Sequence, residues 1–231
     1  MQSLVLDTET HSLNGLPIEV AYVPVQLDSS GLQVFKDQIY DEYFSLDDGM
    51  SMHLASMAVH HILPNDLMGK PNYREFRLPE DTIYMIGHNI DYDVSAVARC
   101  GQSVKHIKPI CTLALARFLW PELESRSLST LSYFISNDLE ATRQQLRNAH
   151  NAKTDVLLTA ELLKRIVAEL KITDMELLYQ QSQIARMPQF MPFGKYKGTP
   201  LKEVPIDYVQ WLLRQQDIDP YLRKALEQIF Q

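Results

Sequence analysis

Leu4-Val5-Leu6-Asp7-Thr8-Glu9 opens the chain with a short apolar run, and the way that run ends governs how the rest of the sequence is read. Three apolar residues, one of them β-branched, read as a buried strand. Asp7 and Glu9 lie two apart at its C-terminal end, so the pleat points both side chains to one side. In open α/β sheets that end of a strand is where ligands bind. Alone, an Asp-x-Glu triplet carries little weight, because charged residues are common enough to produce about one in a chain of this length.

Two further pieces give it weight. Thr82 to Ile86 is another apolar run that reads as a strand, followed by Gly87-His88-Asn89-Ile90-Asp91-Tyr92-Asp93 and a helical stretch from Val94 to Cys100. Asp93 is therefore a second acid just past a strand, although a carboxylate there could equally be a charge that favours a helix N-terminus. His150-Asn151-Ala152-Lys153-Thr154-Asp155 opens an apolar-periodic helix through Val156, Leu158, Leu162 and Val167. His150 stands at or before its start and Asp155 in its first turns, where either residue alone would usually be a cap or a solvated group. Taken jointly, Asp7, Glu9, Asp93 and Asp155 read as a cage for two divalent ions with His150 as a base beside it. Carboxylates are hard oxygen ligands suited to Mg²⁺, with Mn²⁺ an alternative, and such ion pairs serve phosphodiester displacement.

The same residues resemble the DEDD exonucleases of the DnaQ-like, ribonuclease H-like superfamily, in the subgroup marked by a histidine. The first motif falls on Asp7 and Glu9, the second on Asn89 and Asp93, and the third on His150, Ala152 and Asp155. Further stretches resemble bacterial DNA-trimming members of this family: Ile18 to Ala21, Met57 to Ile62, Ile110 to Thr112, Ala116 to Pro121 and Phe193 to Gly198. The resemblance thus spans nearly the whole chain. It implies a 3′ to 5′ exodeoxyribonuclease that releases nucleoside 5′-monophosphates, serves DNA repair and acts on single-stranded or duplex 3′ ends, with a homodimer plausible. Asp7 would bridge both ions, Glu9 and Asp155 would complete one site, and Asp93 would serve the second, partly through water. Thr10, Leu13, His88 and Asn89 carry over as contacts to the terminal nucleotide. His60 has a family-like position that also suits packing. Ser12 stands where the family usually has Gly before Leu13, which leaves the Leu13 contact less secure than the ligands.

Three other readings stay open. One is an oligoribonuclease or other RNA trimmer, since no decisive 2′-hydroxyl reader is visible. The others are a polymerase proofreading subunit and a non-catalytic nucleic-acid-binding module.

The expected architecture is α/β: a ribonuclease H-like mixed five-stranded sheet flanked by helices, with a small, mainly helical C-terminal domain. Strands are expected near Ser3 to Thr8, Glu19 to Gln26, Val34 to Phe44, Thr82 to Ile86 and Val104 to Ile110. Helices are expected near Ala55 to His61, Pro64 to Met68, Leu113 to Trp120 and Leu128 to Ile135, besides those already placed. The exonuclease domain should occupy residues 1–171 and the second domain 172–231, the latter with helices over Asp174 to Arg186, Pro205 to Gln215 and Pro220 to Phe230. In it, Lys195-Tyr196-Lys197-Gly198 with Phe190, Phe193 and Trp211 reads either as an aromatic, cationic surface for DNA or as a tight turn with core aromatics.

The chain has 231 residues, 45% of them hydrophobic, enough to bury a substantial core. Neither a signal peptide nor a transmembrane run is evident, so a cytoplasmic protein without membrane contact is expected. Cys100 and Cys111 are too few for a disulfide framework and read as buried thiols. The net charge of −7 is unusual for a protein that grips a polyanion. It is unevenly spread: residues 1–170 hold 14 basic and 22 acidic side chains, whereas residues 171–231 hold 8 and 7. Weak, salt-sensitive, non-processive engagement of DNA ends is the expectation.

Overall fold

The computed structural model describes residues 2–147 and 151–230. Two compact units are present, Met1–Ser182 and Gln183–Gln231. Sequence reading put the division at 171/172; it falls instead inside a helix that runs from Met175 to Arg186.

The first unit is built on a mixed sheet. Its strands are β1 (Gln2–Thr10), β2 (Pro17–Asp28), β3 (Gly31–Val34), β4 (Tyr40–Tyr43), β5 (Thr82–Gly87) and β6 (Lys108–Cys111). The order is β3-β2-β1-β5-β6, with β4 also paired to β2. β1 is antiparallel to β2 and parallel to β5, and β5 is parallel to β6. A central strand covered on both faces is apolar without alternation, as Leu4, Val5 and Leu6 are, at 0–1% exposure. β6 contains Pro109, whose missing N–H is tolerated because the strand is at an edge.

Six strands replace the expected five because Gly31–Val34 pairs with β2 as a strand of its own, while of the expected Val34 to Phe44 strand Tyr40–Tyr43 pairs with another stretch of β2 after a short 3₁₀ turn at Lys36–Gln38. The expected strand over Val104 to Ile110 is shorter and later, beginning at Lys108.

The helices of this unit are α1 (Leu54–His60), α2 (Asp91–Arg99), α3 (Thr112–Leu119), α4 (Leu128–Ile135), α5 (Leu139–Leu146) and α6 (Ala152–Leu170), and α7 (Met175–Arg186) is the helix that the division crosses. Pro64–Leu67 is a 3₁₀ turn rather than a helix, and α5 was not anticipated. α6 packs on β1, β2 and β3 with α3 and α4 beside it, burying Val156, Leu162, Leu163, Ile166 and Val167. Asn151 caps its start by accepting the Thr154 N–H. Cys100 and Cys111 are buried and free.

The second unit packs α8 (Ile206–Leu213) and α9 (Pro220–Ile229) around Met191, Leu201, Val204, Val209, Leu212, Leu222 and Leu226. Asp219 caps α9, and Pro220 sits in its first turn, where the missing N–H costs nothing. Among the described residues, no helix is long and apolar enough to cross a membrane.

Candidate active site

The C-terminal end of β1 is where the acids meet. Asp7, Glu9 and Asp155 each offer an oxygen within 4.8 Å of the other two. The first two share a face of β1, and α6 lays Asp155 against them from one turn inside its N-terminus, its amide bonded to the Asn151 carbonyl at 3.0 Å.

Asp93, only 3% exposed, lies outside that trio but is held at the same strand end. Its Oδ1 accepts the Thr8 amide at 2.9 Å and the Thr8 hydroxyl at 2.8 Å. The turn that delivers it requires two unusual residues. At Gly87 a Cβ would come within 2.9 Å of the Leu6 carbonyl, so glycine lets β5 close on β1. Asn89 takes a left-handed φ of 77°, which its short polar side chain tolerates.

Electrostatics follow from crowding. Burial raises the Asp7 carboxyl well above its usual range, and the charges of Asp93, Glu9, Asp155 and Glu19 add to the effect. Glu9 is pushed up to about 9 by burial and then by Asp155, Glu19 and Asp93. Burial raises Asp93 to about 7 against the opposing bonds from Thr8. A set of oxygen donors that repel one another at neutral pH, with no lysine or arginine among the causes of these shifts, fits hard divalent cations.

Glu19 was not singled out as a site residue by sequence reading. It is 0% exposed and stands directly across the β1–β2 ladder from Glu9. Like charges in that register are unfavourable, so the carboxylate needs a purpose. It accepts the Asn151 side-chain amide at 2.7 Å and the Ala152 N–H at 3.2 Å, which fixes the start of α6 and hence the approach of Asp155. The available signal was an acid inside the apolar run Ile18 to Ala21. Glu19→Ala should lower stability by roughly 1–3 kcal/mol, the usual cost of stranding buried donors, and Glu19→Gln by less because it keeps one acceptor. Urea denaturation of the three proteins checks this.

The nucleotide contacts expected from the resemblance separate into two groups. Glu9, Thr10, Leu13, His53, Val59 and Tyr92 line a largely apolar cleft of about 400 Å³ beside the acids. Leu13 is 83% exposed at its rim, on a turn held by Gly15 N–H to Ser12 O. Thr10 is buried, bonded through its hydroxyl to the Ser12 carbonyl and to Tyr92. Asn89 is exposed just before α2. His88 is engaged elsewhere: its Nδ1 lies 3.0 Å from the Thr112 hydroxyl and its Nε2 2.8 Å from the Arg126 carbonyl. Burial holds it neutral, at about 4. His60 lines the cleft, with Nδ1 accepting the Ile62 N–H. His150 lies outside the described residues.

The chain is similar over most of its length to known exonucleases. Exodeoxyribonuclease 10 of Escherichia coli (strain K12) is 26% identical over 232 residues, covering 96% of each chain. Among solved structures, exonuclease X in complex with 5′ overhanging duplex DNA matches at 24% identity with a TM-score of 0.58, covering 79% of this chain and 98% of that one. The zinc-bound E. coli ExoI–ssDNA complex matches at 17% identity with a TM-score of 0.63, covering 95% and 60%. Residues 179–230 match the family described as "Putative quorum-sensing-regulated virulence factor". A relative matched from end to end at 26% identity and a mixed sheet shared with solved exonucleases make the chain similar to DnaQ-like exonucleases, with a ribonuclease H-like fold.

Proposed function

We propose that this protein is a divalent-metal-dependent 3′ to 5′ exodeoxyribonuclease that releases nucleoside 5′-monophosphates. The observation that carries the reading is the convergence of Asp7, Glu9 and Asp155 oxygens within 4.8 Å at the end of β1, with Asp93 beside them. Its support from similarity is the full-length likeness to exodeoxyribonuclease 10.

In this reading Asp7, Glu9 and Asp155, with Asp93 beside them, would hold the divalent ions. Two Mg²⁺ or Mn²⁺ ions, when bound, polarise the phosphodiester and neutralise the charge that develops on the attacking and leaving oxygens. The protein's own part is placement. The apolar cleft takes the 3′-terminal nucleoside, with Leu13 and Tyr92 against the base and Thr10 and Asn89 as polar contacts. Thr8 fixes Asp93, and Glu19 fixes the start of α6, so the carboxylates stand ready before substrate arrives. His150 takes the proton from the attacking water as the bond from phosphorus to the 3′ oxygen breaks. His88 serves instead as an anchor, through its bonds to Thr112 and Arg126.

The test is digestion of 5′-labelled DNA and RNA oligonucleotides, single and double stranded, with Mg²⁺, Mn²⁺ or chelator. A 3′-shortening ladder on DNA that chelator abolishes is expected. Preferential shortening of RNA would move the assignment to an RNA trimmer, and intact substrates under every condition would overturn it.

A further inference from the structure

We propose that the second unit carries its own single-stranded DNA platform, formed by the turn from Phe193 to Gly198 and the exposed side of α8. The inference rests on DNA being the substrate, and adds a contact that the acidic cluster does not require.

The turn is shaped by Gly194 and Gly198, with φ of 73° and 82°. Its ends are tied where Met191 and Thr199 pair, and where the Gly198 N–H meets the Met191 carbonyl at 2.8 Å. At Gly194 a Cβ would come within 2.7 Å of the Tyr208 hydroxyl, so the absence of a side chain lets the turn lie on α8. The result is a continuous ladder. Lys195 Nζ lies 5.2 Å from the centre of the Tyr196 ring, Tyr196 meets Tyr208 edge-on at 4.8 Å, and Tyr208 meets Trp211 at 5.3 Å.

Part of this ladder is core. Tyr196 and Tyr208 pack against the cluster that includes Met191, Leu201 and Val209. Its outer members are not: Trp211 is 49% exposed and Phe193 43% exposed. Large aromatic faces left in water, on a unit whose adjoining turn carries lysines, suit a ligand with flat rings and negative charge. The turn carries Lys195 and Lys197, and no acid lies between Met187 and Lys202; Glu203 follows, and α8 brings one acid, Asp207, a turn before Trp211, within a protein of net charge −7. A single DNA strand offers both halves of the match, with bases to stack and phosphates to pair, and it requires no sequence preference.

The experiment uses the full chain carrying Asp7→Asn, so that DNA is not consumed, and a fluorescein-labelled oligo-dT of about 16 nucleotides. Trp211→Ala should weaken binding roughly 5- to 100-fold, the range for one base-stacking contact. Lys195→Ala/Lys197→Ala, on an exposed turn, should lower the slope of log affinity against log salt by about 1.4, at about 0.7 per phosphate on single strands. Circular dichroism checks that each variant folds. Unchanged affinity and salt slope in both variants would overturn the platform. So would self-association, measured by sedimentation, that Trp211→Ala abolishes while oligo-dT affinity stays the same, since the face would then belong to a second copy. The two proposals can fail separately. Tail variants with an active Asp7 that bind oligo-dT normally and still trim it would remove the platform and leave the exonuclease. A wild-type chain that binds oligo-dT through Trp211 without shortening it would do the reverse.

Discussion

Asp7→Asn should reduce metal-dependent trimming by about 10³-fold or more while raising the stability of the metal-free protein. Loss of transition-state charge stabilisation worth several kcal/mol accounts for the first effect. The second comes from crowding: burial and the charges of Asp93, Glu9, Asp155 and Glu19 all raise the Asp7 pKa, so in the fold the carboxylate is a repelling group. Proton linkage gives the expected pH dependence. Glu9 at about 9, and Glu19 and Asp93 at about 7, bind protons in the fold that the unfolded chain has already released above its ordinary carboxylate range near 4. Where the native state holds more protons, stability falls as pH rises. Without divalent ions the wild-type Tm should therefore decline from about pH 5 to pH 9, and Asp7→Asn should flatten that decline. Added Mn²⁺ should raise the wild-type Tm more at pH 8 than at pH 5, and the variant much less. Thermal melts across pH, with and without Mn²⁺, read all of this independently of catalysis. A wild-type Tm that is flat with pH and insensitive to Mn²⁺ would contradict the cage.

How much of the molecule is legible in its sequence depends on physical range. Leu4 to Leu6 ending in Asp7 and Glu9 is a local pattern whose consequences are local, and the strand and its pair of acids are there. The start of α6 was legible for the same reason, since the apolar period that begins at Val156 specifies a buried stripe, while its Asn151 cap came from the structure. The break between β3 and β4 was not: the polar run Lys36-Asp37-Gln38 turns as a 3₁₀ segment, and the strands on either side of it pair with separate stretches of β2. Glu19 was missed because its meaning is non-local. Its partners are Asn151 and Ala152, more than 130 positions away, and a single chain gives no sign that an acid in an apolar strand has buried donors waiting. Three-dimensional context also separated the histidines, since both ring nitrogens of the partly buried His88 are engaged by Thr112 and Arg126.

His150→Ala should lower kcat by roughly 10²- to 10⁴-fold, the usual contribution of a positioned base, with little change in Mn²⁺ affinity or in binding of oligo-dT. The prediction is specific because His88 and His60 are poor candidates. His88 is neutral, with both nitrogens occupied by Thr112 and Arg126, and burial keeps it so through the working pH range. His60 lines the cleft, but its Nδ1 already accepts the Ile62 amide and its pKa is lowered by burial. Sequence places His150 immediately before Asn151, the residue that Glu19 grips and that caps α6, one turn ahead of Asp155. A base tied to that point would follow the carboxylates. The readout that separates a base from a structural residue is the pH profile of kcat. Wild type should gain activity as its general base loses a proton, whereas His150→Ala should lose that limb and rise with hydroxide instead. His60→Gln, by contrast, should keep the limb and change KM if it changes anything. Should His150→Ala retain both the rate and the acid limb, the proton must leave by another route, and the cage would have to work with solvent alone as base.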